Sequence, residues 1–231
     1  MELHPRIKNI AERLLPAAVI GWLDPVRRLI NEEIRLAAEA VKEGEIVLDA
    51  GAGEARHRVF FKRGFYVALD AGYGDPSWDY SRLDLRGDLE HVPLRDASVH
   101  GVLCMVVLEH TRNPRRVILE FARVLKPGGK LVMVVPFLWE EHQAPHDYFR
   151  FTRHGVRCLF DSSGLRLDLV SPIGGFFWVC ARRCVNLLGF FQKGWRWVVF
   201  AVLAPFFGLL FPTILYFMDG MDRDRNYSLG F

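Results

Sequence analysis

Two glycines close to an acid mark the first candidate site, in the stretch VLDAGAGEARHR at residues 47–58. Gly51 and Gly53, spaced Gly-x-Gly, allow the backbone to come close to a ligand. The dinucleotide fingerprint needs a third glycine where this chain has Arg56, and no Gly-Lys-Ser/Thr follows to make a phosphate loop. Asp49 would repel a pyrophosphate, whereas it suits a ligand that carries a cation.

A second acid lies where a ribose would be bound. Asp70 ends the next apolar run, 19 residues after Gly51, and an acid at this distance accepts hydrogen bonds from ribose hydroxyls. S-adenosylmethionine has an adenosine, an ammonium group and a sulfonium but no phosphate, and therefore matches both signals. A tight turn in an unrelated α/β protein is the alternative that these residues leave open.

Side chains that can accept a proton are dense in EEHQAPHDYFRFT, residues 140–152. This stretch directly follows a buried apolar run, so we expect it to lie over the ligand. A histidine has a pKa of about 6.5 and can accept a proton from a hydroxyl nucleophile. The hypothesis is that His142 or His110 acts as a base or orients the substrate, with Tyr148 and Arg150 closing the pocket. The alternative is that these polar residues only tie the loop together.

The elements that must position these residues follow from the hydrophobic pattern. Nearly continuous apolar runs predict strands, and helical spacing predicts helices over 113–129 and 152–163. Buried strands separated by helices predict an α/β fold with a mostly parallel sheet and helices on both faces. Ligands bind such sheets at the carboxyl ends of the strands. The predicted strands are 45–51, 65–72, 101–108, 130–137 and an edge strand over 165–172.

The sequence also carries a family resemblance, over residues 44–172. VLDAGAGEARHR resembles motif I of class I S-adenosylmethionine-dependent methyltransferases, and YVALDAG resembles their second-strand acid motif. The segment from GDLEHVPLRD to KLVMVVPF is similar to the type 11 methyltransferase pattern almost throughout, and HQAPHDYFRFT resembles a tail motif of a bacterial subset. The resemblance implies a Rossmann-like methyltransferase sheet and S-adenosylmethionine as cofactor, with S-adenosylhomocysteine as product.

The resemblance also implies roles for individual residues. Asp49, Gly51 and Gly53 would line the methionine part, and Asp70 would hold the ribose hydroxyls. The adenine would lie against Asp88 and Leu89. Met105 belongs to the backbone that borders the methyl-transfer side, together with the neighbouring pair Glu109 and His110.

The candidate catalytic residues are His142, His110 and Tyr148, and the candidates for holding the acceptor are Glu109, His146, Asp147 and Arg150.

Two positions depart from the family pattern. Ala55 stands where motif I has its third glycine, and we expect it to shift the following helix slightly without abolishing binding. His100 replaces the acid that opens the fourth strand. Because that acid is often a structural partner, this change concerns local hydrogen bonding more than cofactor binding.

The chain divides into three predicted parts: an N-terminal helical segment (1–43), the cofactor-binding core (44–172) and an apolar helical extension (173–231) with a last strand over 226–231. The segment Trp197–Met218 has 22 residues without a charge, long enough to span a bilayer. Three interpretations stay open: a core or homodimer interface, attachment to a membrane surface through 173–218, and a true span. The last strand argues against a span, because both ends of the apolar segment must then lie on one side.

The charge and the cysteines limit which binding partners and which cellular compartment the sequence is compatible with. The net charge is +3 and the basic residues are dispersed, a poor footprint for nucleic acid. The four cysteines form no Cys-x-x-Cys pair and have no nearby ligands, so we expect reduced thiols and no metal site. The N-terminus lacks the pattern of a secretory signal. These features predict a cytoplasmic protein, with membrane association through the apolar segment left open.

The sequence therefore favours an S-adenosylmethionine-dependent methyltransferase that methylates an oxygen or nitrogen of a small-molecule or lipid-linked acceptor. One alternative is a non-catalytic module that binds S-adenosylmethionine or S-adenosylhomocysteine. Another is a membrane-associated interaction protein with this fold. The presence of all three acids, Asp49, Asp70 and Asp88, argues against the last of these.

Overall fold

The computed structural model describes residues 25–161 and 163–231 and divides them into two compact units. The sheet unit consists of Ile30–Phe137, Gln143–Val170 and Phe231. The helical unit holds Leu138–His142 and Ser171–Gly230, together with residues 25–29. The first 24 residues of the predicted helical segment lie outside the described residues. Helix α1, Pro25–Ala40, forms the rest of that segment, with Ile34 and Ala38 on its buried face.

Five parallel strands form the sheet, in the order β3-β2-β1-β4-β5. Strand β1 is paired with β2 on one side and β4 on the other, so the strand order reverses there and opens a crevice at the carboxyl ends. Strand β4 is almost entirely apolar, as expected when both faces of a strand are covered. The strands are β1 Ile46–Ala50, β2 Phe65–Asp70, β3 Leu85–Arg86, β4 Val99–Met105 and β5 Leu125–Val134.

Helix α2, Pro114–Val124, lies between β4 and β5 in the chain. The Asn113 side chain caps it by accepting a hydrogen bond from the Arg116 N–H at 3.1 Å. The fully buried side chains Val117, Ile118, Phe121 and Val124 lie at helical spacing on one face. The predicted helix over 113–129 is too long, because residues from Leu125 onward belong to β5. Pro127 accounts for the difference, since it disfavours helical backbone at the residue before it.

The segment after β5 in the sheet unit contains helix α3, Arg153–Phe160, which begins at the Thr152 cap. The Thr152 hydroxyl accepts a hydrogen bond from the Gly155 N–H at 3.0 Å. The edge strand predicted over 165–172 was wrong: within the described chain these residues make no strand pairing. Their apolar members, Leu165, Leu167 and Val170, pack against the core instead. The alternation therefore reflects one-sided packing rather than a ladder.

The helical unit is built around two antiparallel helical segments. Helix α4 is Phe176–Leu188, and the returning segment consists of α5 Trp197–Pro205, a π-helical turn Phe206–Leu210 and α6 Phe211–Met218. At the predicted last strand, pairing in this unit is limited to one antiparallel bridge between Ile173 and Gly230. In the sheet unit, Phe231 exchanges two backbone hydrogen bonds with Val135, at 2.8 and 2.9 Å.

Candidate functional site

A cavity of about 540 Å³ lies in the sheet unit where β1, β2 and β4 end. This is the position at which open α/β sheets bind ligands, and the volume is in the range of small-molecule sites. The sequence-predicted residues that line this cavity are Gly51, Gly53, Asp70, Asp88, Leu89, Met105, His110, His146 and Tyr148.

The loop after β1 requires glycine at its first position. Gly51 has φ +87°, and its N–H donates to the Leu69 carbonyl at 2.8 Å. A Cβ at Gly51 would overlap the side chain of Val107, which also lines the cavity. The sequence predicted that the backbone at Gly51 comes close to a ligand. In the structure, this backbone lies close to the Val107 side chain, just after β4.

Ala55 adopts a left-handed backbone conformation, with φ +53°, and is fully buried. This explains the glycine that the related motif has at this position, because left-handed backbone costs an L-residue about 1–2 kcal/mol. The chain then continues as the 3₁₀ helix Arg56–Phe60. The α-helix expected after the loop is thus replaced by a short, tighter turn.

Asp70 holds the glycine loop in place while it lines the cavity. One carboxylate oxygen accepts a hydrogen bond from the Gly53 N–H at 2.9 Å, and the other accepts one from the Gly72 N–H at 2.6 Å. Each carboxylate oxygen has a further lone pair. The acid at the end of β2 can therefore order the loop and still accept hydrogen bonds from a ligand.

Asp49 is buried and serves the cavity indirectly. Its carboxylate accepts a short hydrogen bond from the Tyr66 hydroxyl, and His57 Nδ1 lies 2.8 Å from the same oxygen. Burial, reinforced by the Asp49 charge, raises the pKa of the Tyr66 hydroxyl far above its usual range. His57 lines the cavity and Asp49 does not. The acid in front of the glycines therefore orients a histidine.

The cavity wall includes Asp88 and Leu89, which are predicted to contact an adenine, and Met105, which is predicted to border the methyl-transfer side. Leu89 and Met105 are 5% and 8% exposed and form an apolar part of the wall. Asp88 caps the turn Leu89–His91 by accepting a hydrogen bond from the Glu90 N–H at 2.8 Å. This turn leaves the Asp88 side chain on the cavity wall next to Leu89.

A second group of residues on the cavity wall is polar and aromatic. His110 Nδ1 lies 2.7 Å from the backbone carbonyl of His146, and His146 Nδ1 lies 3.1 Å from the Tyr148 hydroxyl. Because a carbonyl only accepts, His110 Nδ1 carries the proton of that hydrogen bond. Val106, between this group and β4, has φ +58°, a strained conformation for a β-branched residue. Such strain is concentrated at functional sites.

Several predicted residues do not line the cavity. Glu109 is fully buried, with one carboxylate oxygen 3.8 Å from His110 Nε2. Asp147 forms a two-pronged ion pair with Arg150, at 2.6 and 2.7 Å, which stiffens the loop that carries Tyr148. His142 belongs to the helical unit, where its Nδ1 lies 3.2 Å from the Glu140 carbonyl.

The structure adds wall residues that the sequence did not single out. Trp78 packs over the glycine loop, 3.2 Å from where a Cβ on Gly53 would lie. Tyr73 stacks on His146, with ring centroids 5.7 Å apart, and Arg112 lies over the Tyr148 ring. Trp78 and Tyr73 belong to the aromatic-rich stretch GYGDPSWDY after β2. Apolar residues have no regular spacing in this stretch, so the sequence pattern predicted neither a helix nor a strand there.

The set of donors and acceptors fits S-adenosylmethionine. Two carboxylates, Asp70 and Asp88, can accept hydrogen bonds from hydroxyl and amino groups, and Leu89 with Met105 offers an apolar surface for a ring. A glycine at position 51 is enforced by the packing of Val107. These observations match a nucleoside; the cation was inferred from Asp49, which does not line the cavity.

His100 occupies the position of the missing acid at the start of β4. Its Nδ1 accepts a hydrogen bond from the Ile46 N–H, the first residue of β1, at 2.9 Å. The histidine thus takes over a structural hydrogen bond between neighbouring strands. It does not line the cavity.

Comparison with known proteins finds similarity to methyltransferases. Residues 48–133 match the methyltransferase domain family of type 11. An uncharacterized methyltransferase of Mycobacterium sp. (strain KMS) is 28% identical over 208 residues, covering 81% of this chain and 82% of the relative. The malonyl-[acyl-carrier protein] O-methyltransferase of Yersinia pestis is 36% identical over 96 residues, which cover 37% of this chain and 34% of that protein.

Solved structures show the same fold. A candidate methyltransferase of Bacillus halodurans C-125 superimposes with a TM-score of 0.50 at 21% identity, covering 71% of this chain and 84% of that one. At this level of identity the likeness shows the fold alone, a Rossmann-like sheet with helices. The family match over residues 48–133 and the methyltransferase relatives support a class I S-adenosylmethionine-dependent methyltransferase, and the matched family implies S-adenosylmethionine as the methyl donor.

Proposed function

We propose that this methyltransferase transfers a methyl group to an oxygen or nitrogen atom of a small-molecule or lipid-linked acceptor, which enters beside His110 and Tyr148. The observation that carries the proposal is that one cavity is lined both by the glycine loop with Asp70 and by the pair His110 and Tyr148. A donor and an acceptor held in one cavity react without the entropy cost of a bimolecular encounter.

The cofactor-binding residues we propose are Gly51, Gly53, Asp70, Asp88, Leu89 and Met105. Asp49 belongs to this group indirectly, because it holds His57 against the cavity. When bound, S-adenosylmethionine supplies an electrophilic methyl carbon on a sulfonium, and S-adenosylhomocysteine is the product. The protein itself has to orient the acceptor, exclude water and accept one proton.

His110 is the proposed proton acceptor. Its Nδ1–H donates to the His146 carbonyl, so in the neutral imidazole Nε2 carries the lone pair. That lone pair would take the proton from the acceptor's O–H or N–H as the new bond to carbon forms. The buried Glu109 carboxylate, 3.8 Å from Nε2, would stabilise the imidazolium that results.

The loop that carries Tyr148 would hold the acceptor. The Tyr148 hydroxyl and the His146 ring are hydrogen-bonded to each other and line the cavity. Asp147 and Arg150 form the ion pair that fixes this loop. His142 remains the second candidate base, since it belongs to the same stretch of sequence and carries the same chemical group.

Cofactor binding is tested first, by calorimetry of the full chain with S-adenosylmethionine and with S-adenosylhomocysteine. We expect both to bind. A folded sample that binds neither would overturn the proposal. A sample that binds both but methylates no fraction of a small-molecule and lipid extract would instead support the non-catalytic module.

The base is tested by formation of S-adenosylhomocysteine with an acceptor fraction found in this way. His110→Ala should lower kcat by about 10²–10⁴-fold with cofactor affinity unchanged. His154→Ala, an exposed histidine on α3, is the matched control. If His142→Ala shows the loss and His110→Ala does not, the base is His142.

A further inference from the structure

One end of the helical unit combines exposed apolar residues with exposed basic residues. We call residues 189–207 the tip; it contains the turn after α4, all of α5 and the start of the π-helical turn. Trp195 is 80% exposed, and Val198 and Val202 are 70% and 62% exposed. Lys193 and Arg196 are exposed beside them. Aromatic and basic residues next to an apolar surface are typical of a membrane–water interface.

Among the described residues, the apolar helix is not packed as a core helix. In the described residues, one helix, Gly194–Met221, is long and apolar enough to cross a membrane, and only 6% of its most apolar stretch is buried. The exposed residues Trp195, Val198, Val202 and Phe206 follow one another at intervals of three or four. They therefore form a single stripe along one face of the helix. An apolar face of this kind needs a cover.

The lower part of the same helix is packed against α4 on one side, while Ile214 and Phe217 in this part are 46% and 78% exposed. It runs along α4, where Gly208 reaches the Leu188 side chain and the Trp178 and Tyr216 rings meet at 5.7 Å. At its end, the Asp219 carboxylate accepts a hydrogen bond from the Gly175 N–H at 3.0 Å. The C-terminal end of the long helix is thus tied to the beginning of α4.

Helix α4 cannot itself enter a bilayer, because its middle carries an ion-pair network. Arg182 donates to both carboxylate oxygens of Glu140, and Asn186 lies 3.3 Å from one of them. Arg183 donates to the Leu138 carbonyl at 3.0 Å. Charged and hydrogen-bonded groups at this density are strongly disfavoured in the hydrocarbon region.

The length of helix left over is too short for a span. From Trp197 to Phe207 the helix rises by about 16 Å, at about 1.5 Å per residue. The hydrocarbon core of a bilayer is about 30 Å thick. The part of the helix that is clear of α4 therefore reaches into one leaflet at most.

We propose that the stripe of Trp195, Val198, Val202 and Phe206 inserts into one leaflet of an anionic lipid bilayer, with α5 lying in the plane of the interface. The protein is then bound to one side of the membrane and does not cross it. Lys193 and Arg196 lie at the level of the headgroups, where each basic residue adds attraction to anionic lipid. A lipid surface is favoured over a second copy because the exposed Trp195 and the basic residues Lys193 and Arg196 lie together at one end of the stripe, the combination typical of a membrane–water interface.

Binding is tested by flotation of the full chain with vesicles of phosphatidylcholine, with and without phosphatidylglycerol. We expect the double variant V198S/V202S to bind vesicles roughly tenfold or more weakly, because two inserted side chains become polar. Leu169→Ser, which changes a residue that is 78% exposed in the sheet unit, is the matched control and should bind normally. The double variant K193E/R196E should lose the preference for anionic vesicles, whereas Arg157→Glu on α3 should keep it.

Sidedness is tested with Lys193→Cys and Arg223→Cys, two exposed positions at opposite ends of the long helix. Both are treated with a membrane-impermeant maleimide in sealed inside-out membrane vesicles of the expression host, and the modified peptides are identified by mass spectrometry. Labelling of both sites without opening the vesicles is the expected result. Protection of one site only would show a span and overturn the proposal. Failure of the wild-type chain to float, with sedimentation as a dimer that V198S/V202S abolishes, would assign the stripe to a second copy instead.

Discussion

The glycine loop of the sheet unit and the tip of the helical unit differ in how their side chains are partnered. In the loop, the carboxylates of Asp49 and Asp70 are held by hydrogen bonds from within the same unit. In the tip, Trp195 and Val198 are among the most exposed large apolar residues of the described chain. The side chains of the first region are partnered within their own unit, whereas for the exposed face of the second region we propose a lipid surface as partner.

The largest effect should come from Gly51→Ala. The added Cβ meets both the left-handed backbone and the Val107 side chain, so we expect a loss of about 2–4 kcal/mol in the free energy of unfolding, measured with urea. The double variant G51A/V107A separates the two causes: it should recover the part due to overlap and keep the part due to backbone strain. Equal stability of wild type and G51A would contradict the packing described for the loop.

Asp70→Ala should mainly affect ligand affinity. It removes the acceptor for the Gly53 and Gly72 N–H groups as well as the proposed ribose partner, so we expect S-adenosylmethionine to bind about 10–100-fold more weakly. Calorimetry measures this directly. Asp168→Ala, at an exposed acid paired with Arg166, serves as the control and should leave the affinity unchanged. Equal affinities for both variants would remove Asp70 from the site.

Glu140→Gln tests the polar anchor of the helical unit through pH. Burial alone would raise the pKa of Glu140, but the hydrogen bond and charge of Arg182 outweigh it and lower the pKa to about 2. A carboxyl with a depressed pKa stabilises the fold above its unfolded pKa, and this contribution is lost as pH falls from about 4.5 toward 2. The variant should lose about 1–2 kcal/mol at neutral pH and depend less on pH in that window. Parallel pH profiles of wild type and variant would contradict this.

The smallest expected effect is an increase in stability. Ala55 is fully buried and has a left-handed backbone. Ala55→Gly relieves the strain of this backbone conformation, so we expect the free energy of unfolding to rise by about 0.5–1 kcal/mol. Ala37→Gly, in the middle of helix α1, is the matched control and should destabilise by about the same amount. A loss of stability in A55G would mean that the Ala55 side chain contributes more by packing than its backbone conformation costs.

The order of helices and strands in the core was largely accessible from the sequence, because its strands are buried on both faces and its helices carry strong caps and stripes. The errors have one local and one tertiary cause, and the short strand β3 was not predicted. Pro127 ends a periodic segment early, and Leu165 and Leu167 alternate because they pack on the core without pairing. Neither effect has a periodic signature of its own.

The sequence by itself predicted the parallel sheet and placed Gly51, Gly53 and Asp70 at the ends of successive strands, whereas Asp88, Leu89 and Met105 and the class of cofactor followed from the family resemblance. Only the tertiary structure decided what each of these residues does. It showed that Asp49 acts through Tyr66 and His57, that Trp78 covers the glycine loop, and that His110 has a defined hydrogen-bond partner in the His146 carbonyl. It also showed that part of the apolar helix runs along α4, the helix whose Arg182 pairs with Glu140. These outcomes depend on contacts between residues distant in the chain, which local periodicity and composition do not encode.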